Sequence, residues 1–515
     1  MDSHSGDNKQ LARNMIFNIL LFVINLGISF FLTPYIVREI GRDAYGFIPL
    51  ISNMIGYTSV ITTAVGSMAG RFITMKIYQG DYESASGYFN SVFIANILLS
   101  VLFTVIATII LCFLPQILSI PVHLVIDVKW LFVFTFLTML IGLGTGILGC
   151  GTYVKNRVDV GASRSVVTNF VRVGCILLLF YLFKPSIVYM SLSAFIAGLL
   201  GAYYNIEFKK RFLPEINIAP KKHFSWSKLK EVTFSGIWNS VNQLSNMLLY
   251  QLDLLIANIF ISAAATGEYS LAKITPALVL NFLAMLSGSF YPQFNILFAQ
   301  EKKDELFTLV KKSIKIVGLF VSIAIGILVV YSDSFYNLWI PEENAKMLHW
   351  LTIITVVPMI FGGSINPVFG LFSTSNKLRI PSLVLLGAGI LNTLVVFILL
   401  KTTNLGIWAI ALTGAVQGGL RNALFTPIYG ARCIGQKWHA LFPCMFKAIC
   451  GLGIVVGVGY IAKIFMPIDN WISLIITMGS VAIVATLLNL AIIFNKSERL
   501  YLKNIILSKI KRTRR

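Results

Sequence analysis

Charge is what this sequence has least of. Asp, Glu, Lys and Arg together supply 12% of its 515 residues, about half the share of an ordinary soluble domain. That scarcity excludes a string of soluble domains, which the length alone would permit. Histidine is scarce as well: His4, His123, His223, His349 and His439 are scattered without ligand spacing, so no metal site is expected. The six cysteines lie in apolar segments or loops and read as small buried residues, with no disulfide framework or metal set among them. A phosphate-cradling Walker motif is missing, which excludes direct drive by ATP. Paired intramembrane carboxylates for hydrolysis or group transfer are missing too, and no outer loop is long enough for a catalytic domain. An enzyme is not expected, and neither is a cofactor.

What fills the space is apolar. Hydrophobic residues make up 57% of the chain, and 16–36, 92–114, 130–150, 380–400 and 471–494 each lack any Asp, Glu, Lys or Arg. About 20 residues span a hydrocarbon core at ~1.5 Å rise per residue. The first run is too long for a secretory signal and passes into Thr33-Pro34-Tyr35-Ile36 without a small-residue cleavage site. It reads as a permanent first helix.

Fourteen segments can be assigned, beginning near Ile16, Gly46, Val92, Trp130, Val166, Ile187, Val232, Tyr269, Ile316, Met347, Ile380, Leu405, Leu441 and Trp471. With the N-terminus inside, 32 of the 42 Lys and Arg residues fall on the cytoplasmic side, seven outside and three within segments. Basic residues in short loops are retained in the cytoplasm, so the asymmetry puts both termini there, in a bacterial inner membrane. The net charge of +21 is thus a topology signal, and nucleic acid is not an expected partner. The tail 496–515 could additionally touch anionic membrane lipid.

An offset of about 220 residues recurs along the chain. Ala44-Tyr45-Gly46 corresponds to Ala265-Thr266-Gly267, Ile120-Pro121 to Ile340-Pro341, Trp130-Leu131 to Trp350-Leu351, and Asn156-Arg157 to Asn376-Lys377. Six segments per repeat return the chain to the same side, so the repeats are parallel. The expected fold is an all-α polytopic membrane protein of about fourteen transmembrane helices. Its parts would be an N-lobe over 1–208, a basic cytoplasmic linker over 209–230, a C-lobe over 231–430, two extra C-terminal helices over 431–494, and a basic cytoplasmic tail over 495–515.

Ionisable groups inside the bilayer cost a few kcal/mol each and normally face a cavity or a partner. Asp253 and Lys273 flank the turn near Ala263 at ten residues on either side, as an ion pair locking two helices or as an ion-coupling or gating pair. Arg172 falls near the middle of the fifth segment, and Arg421 lies in the twelfth beside Gly418-Gly419. Lys447 and Lys463, at the two ends of the thirteenth, read as snorkelling anchors. Three interior cations against one acid favour an anionic substrate, above all a phosphate, to which Arg presents two donors at once. Asn239, Asn242, Asn246 and Asp253 share one face of the seventh segment, and Asn18 and Asn25 one face of the first. Such stripes glue helices together or wall a cavity; Asn25, Asn242 and Asn246 are candidate cavity residues beside Arg172, Arg421 and Lys273. Pro276, Pro292, Pro358 and Pro367 interrupt the eighth and tenth segments and permit bending.

The stretch Pro34-Tyr35-Ile36-Val37-Arg38, then Gly41 and Tyr45-Gly46, resembles the first hairpin of polysaccharide flippases. Asp253-Leu254-Leu255-Ile256 with Gly267-Glu268-Tyr269-Ser270-Leu271-Ala272-Lys273 resembles their seventh and eighth helices. These belong to the multidrug/oligosaccharidyl-lipid/polysaccharide (MOP) exporter superfamily. The resemblance implies a flippase that moves undecaprenyl-pyrophosphate-linked oligosaccharide repeat units for O-antigen or capsule by alternating access. It also implies membrane lipids and polysaccharide polymerase machinery as partners, and charge at the Asp253 and Lys273 positions. The superfamily's lipid II flippases usually carry a charge in helix one, where this chain has only Asn18 and Asn25, which weighs against that branch. Drug exporters of the superfamily have twelve helices and acidic cavities. A lipid II flippase and a cation-coupled small-molecule exporter are the alternatives.

Overall fold

The computed structural model describes residues 2–375 and 377–494. The basic tail over 495–515 and Asn376 lie outside the described residues, as does the side chain of Asn18. Every regular element among the described residues is helical.

Ten helices are long and apolar enough to cross a membrane, and an eleventh span is a pair bent by 45°. In chain order, α1 is Asp2–Ile40, α2 the bent pair Arg42–Gly56 and Ser59–Tyr78, α3 Tyr82–Ile117, α4 Val122–Val154, α5 Val158–Leu182 and α6 Ile187–Phe212. Three further segments are chains of shorter pieces. α7 runs Trp226–Asn246, a π-turn Met247–Gln251, then Leu252–Phe260; α8 is Ala263–Gly288 and α9 Lys303–Trp339. α10 is Ala345–Val356, Met359–Ser364 and Pro367–Thr374; α11 is Arg379–Thr402; α12 is Ile407–Leu420, a π-turn Arg421–Phe425 and Thr426–Cys433. α13 is Phe442–Phe465 and α14 Trp471–Ile493. All fourteen expected segments are therefore helical, and the ones without one long uninterrupted rod contain the breaks.

Local chemistry places the ends. Asp81 caps α3 by accepting from the Ser84 N–H at 2.9 Å. That backbone bond holds its carboxyl below the usual carboxylate range, with Lys76 assisting. Ser186, Ser225, Asn344 and Asn470 cap α6, α7, α10 and α14 in the same way. Between α1 and α2 the chain turns on Gly41, whose φ of 81° suits a residue without Cβ. The bend in α2 comes after Gly56, where the Thr58 hydroxyl donates back to the Ile55 carbonyl at 2.7 Å.

The repeat is visible in the element lengths. α3 and α9 have 36 and 37 residues, each followed by an Ile-Pro pair, and α5 and α11 have 25 and 24. The repeat-related glycines also meet. A Cβ on Gly46 would sit 2.7 Å from the Gly267 nitrogen, and one on Gly267 2.5 Å from the Arg42 carbonyl oxygen. Backbone approach this close admits only glycine.

The chain packs as two compact units, Met1–Glu268 and Tyr269–Arg515. In the first, α7 lies against α2: a Cβ on Gly236 would collide with the Ala64 carbonyl oxygen, and Ser240 donates to the Val60 carbonyl. Packing and repeat thus divide the chain at different places, since α7 opens the second repeat yet belongs to the first unit. In the second unit, α9 is the central helix, wrapped by α13 and α14.

Candidate functional site

The first unit has an open-sided cavity of roughly 720 Å³ walled by α1, α2, α4, α5 and α6. Its surface is mostly aliphatic, interrupted by hydroxyls that include Ser29, Thr33, Ser52, Thr58, Thr135 and Thr138. Four of these have their proton committed: Ser52 to Ile48, Thr58 to Ile55, Thr135 to Leu131 and Thr138 to Phe134, each to a carbonyl on its own helix at 2.7–2.8 Å. They offer lone pairs to the cavity and no N–H or O–H. Arg172 is the sole charged residue among those lining it. Its Nε is buried without a hydrogen-bond partner, and no carboxylate faces it across the cavity.

Helix geometry explains this placement. Arg172 is fifteen residues into the 25-residue α5, so its stem is too deep to carry the guanidinium to either end of the helix. Three residues earlier on the same face, Asn169 donates to Asn25 Oδ1 on α1 at 2.8 Å. Asn25 therefore ties α1 to α5, and it does not line the cavity. An uncompensated guanidinium in low dielectric attracts any anion that reaches it, and its fork matches the oxygens of a phosphate.

The polar face of α7 divides into two parts. Asn239 donates to Ser67 at 3.2 Å and Gln243 to Ser59 at 2.8 Å, both on α2, which is the gluing role. Asn242 is half-buried and Asn246 exposed, and neither finds a hydrogen-bond partner among the described residues. One turn on, the π-turn frees the Gln251 carbonyl, which Asn53 and Tyr57 of α2 approach at 3.4 and 3.5 Å. Asp253 lies two residues beyond Gln251 and is buried, 5% exposed.

The other expected cations belong to the second unit. Lys273 carries its ammonium 5.2 Å from the Tyr269 ring centroid. Arg421 opens the π-turn of α12 and is half-buried; its Nε and Nη2 donate to the neighbouring Asn422 Oδ1 at 3.2 and 2.9 Å. Gly419 serves packing, since a Cβ there would lie 3.2 Å from Pro358. Lys463 is held by Asp333 at 2.7 and 2.8 Å rather than reaching outward as an anchor. Sequence reasoning missed this pair. It also missed Asn169, although its spacing of three from Arg172 was the available signal.

Comparison with known proteins agrees at the level of family and fold. The family described as "Polysaccharide biosynthesis protein" matches residues 11–298. The uncharacterized membrane protein EpsK of Bacillus subtilis (strain 168) is 27% identical over 511 residues, which cover 97% of this chain and 98% of EpsK. Among solved structures, the lipid II flippase MurJ in an inward closed conformation superposes with a TM-score of 0.68 at 13% identity, covering 96% of this chain and 99% of MurJ. An inward-facing multidrug resistance MATE transporter of the MOP superfamily superposes with a TM-score of 0.59 at 14% identity, covering 80% and 94%. These neighbours are two-lobed transporters and flippases, not enzymes, and their fold accommodates the repeats read from the sequence. With more than half of its length matched, the chain belongs to the polysaccharide biosynthesis protein family, as a multi-pass membrane protein with the MOP transporter fold.

Proposed function

We propose that this protein flips undecaprenyl-pyrophosphate-linked oligosaccharide repeat units across the bacterial cytoplasmic membrane by alternating access, coupled to an ion. The observation that carries the reading is Arg172, an uncompensated guanidinium facing a hydroxyl-bearing cavity in a member of a polysaccharide biosynthesis family. Such a group lowers the cost of moving a phosphate through hydrocarbon, the hardest part of this cargo to transfer. Lys273 and Arg421 would supply positive potential in the second unit, and Asn242 and Asn246 amide hydrogen bonds to sugar hydroxyls. Asp253 and Lys273 would serve coupling or gating. The 1–208, 209–230, 231–430 and 431–494 divisions act as lobe, linker, lobe and addition, with both termini in the cytoplasm as the basic-residue asymmetry favours. Polysaccharide polymerase machinery on the outer face would take the product.

Deletion of the gene should abolish surface polysaccharide and leave lipid-linked units on the inner face. Arg172→Gln should lower flipping at least tenfold with normal membrane insertion, matching the loss of one charge-assisted hydrogen-bonding group worth ~1.5–3 kcal/mol. Intact surface polysaccharide after deletion would refute the reading. Loss of cell-wall precursor export would favour a lipid II flippase, and drug sensitivity alone a cation-coupled exporter.

A further inference from the structure

Below the Arg172 cavity, nearer the Tyr78 end of α2, lies a second cavity of roughly 510 Å³. The two share Thr62, Gly142 and Leu143 in their linings, so they meet at a neck between α2 and α4. Glycine keeps the neck open. Gly142 lines both cavities and Gly146 the second, and a Cβ built on either would touch nothing within 4 Å. The second cavity has its own cation, the exposed Arg71. No acidic residue lines either space.

We infer that the first unit holds a small inorganic anion of the chloride class at Arg172, admitted past Arg71 and the Gly142 neck. Electroneutrality is the first argument. A half-buried guanidinium whose Nε has no partner, with no carboxylate lining its cavity, is costly in a membrane interior, and a free anion lowers that cost. The second argument is donor chemistry. Four of the lining hydroxyls have committed their protons to carbonyls, and Arg172 is the one cationic donor in the lining, so its N–H groups call for an anionic acceptor. Access is the third. The two cavities adjoin at Thr62, Gly142 and Leu143, where the missing side chain of Gly142 leaves a route for a small ion. On the flipping reading, and only there, the cargo phosphate displaces this resting anion. Occupancy itself does not depend on what the cargo is.

The test uses the purified full-length protein in detergent, without cargo. Its thermal unfolding midpoint is followed as sodium gluconate is exchanged for sodium chloride at constant ionic strength, with radiolabelled chloride binding measured at equilibrium. Wild type should show a saturable rise in midpoint and one bound chloride. Arg172→Gln should lose both; Arg172→Lys should keep binding with a half-saturating concentration roughly tenfold higher, because the fork is gone and the charge stays. Gly142→Leu, at a position where an added Cβ meets nothing within 4 Å, should slow chloride exchange at least tenfold while leaving the protein folded. Inorganic pyrophosphate should compete with chloride if phosphate enters the same site. No saturable difference between gluconate and chloride in wild type, or full chloride binding by Arg172→Gln, would overturn the inference. If Arg172→Gln does not fold, unaltered affinity in Arg172→Lys overturns it instead. Failure of flipping with chloride binding intact would count against the cargo alone.

Discussion

α3 and α9 hold the same place in the two repeats and have nearly the same length, yet they live in different surroundings. Over its most apolar stretch α3 is 17% buried and α9 is 61% buried. α3 presents Leu98, Val101, Val105 and Ile109 outward. Its polar residues Ser100, Thr104 and Thr108 satisfy themselves on carbonyls four residues back, as a lipid-facing helix requires. α9 instead spends its polar and small residues on neighbours. Ser322 donates to the Ala448 carbonyl at 2.8 Å, Tyr331 to the Gly459 carbonyl at 2.8 Å, and Asp333 grips Lys463. Gly318, Gly326 and Gly459 let α9 and α13 approach until a Cβ on Gly326 would lie 2.5 Å from Val455 Cγ1. The two helices without a repeat partner therefore convert a lipid-facing rod into an interior one. The same helix in a repeat becomes exposed or central according to what the end of the chain supplies.

The comparison can be broken most severely at Gly326. Gly326→Leu should destabilise by roughly 1–3 kcal/mol or more through overpacking against Val455, read as a fall in the detergent unfolding midpoint. Asp333→Ala leaves the Lys463 ammonium with only the Val330 carbonyl and should cost about 1 kcal/mol, since the pair is partly exposed. Lys463→Met in the same background should recover most of that loss, and an unimproved midpoint would show that the pair is not what binds α13 to α9. Ser322→Ala removes one interhelical bond and should cost ~0.6 kcal/mol. The control is Val105, which stands 221 residues before Gly326 in the corresponding helix. Val105→Leu should change stability by less than ~0.5 kcal/mol, because lipid accommodates the added volume. A large loss there would mean that α3 has an unrecognised protein neighbour.

Number, length and apolarity of the helices were legible because hydrocarbon demands them. Runs such as 380–400 and 471–494 became α11 and α14 almost residue for residue. Which side of a helix faces protein was not legible. Lipid and protein interior are equally apolar, so Val105 and Gly326 carry no periodic signal that separates them. The internal repeat could be read at Gly46 and Gly267, but not the fact that these two touch. At the site, the mid-helix placement of Arg172, away from either end of α5, was legible from its depth in the segment. The absence of any lining carboxylate was not, since it depends on where four other helices place their side chains. The π-turns at Met247–Gln251 and Arg421–Phe425 leave no compositional mark, and both occur beside charges the sequence had singled out.

The N-terminal end of α1 is moored to the start of α5. Arg13 meets Asp159 at 2.9 Å, Gln10 donates to the same carboxylate at 2.8 Å, and Asn14 accepts from the Asp159 N–H while donating to Asn156. Asp159 is 1% exposed, and Arg157 adds a fork of donors to both of its oxygens, at 3.1 and 3.4 Å. Thirteen residues farther along α5, about 20 Å by helical rise, sits Arg172. A second tie at Asn25–Asn169 fastens α1 to α5 again, three residues before Arg172. The helix that opens the chain is thus braced at two levels against the helix that carries the cavity's one charge.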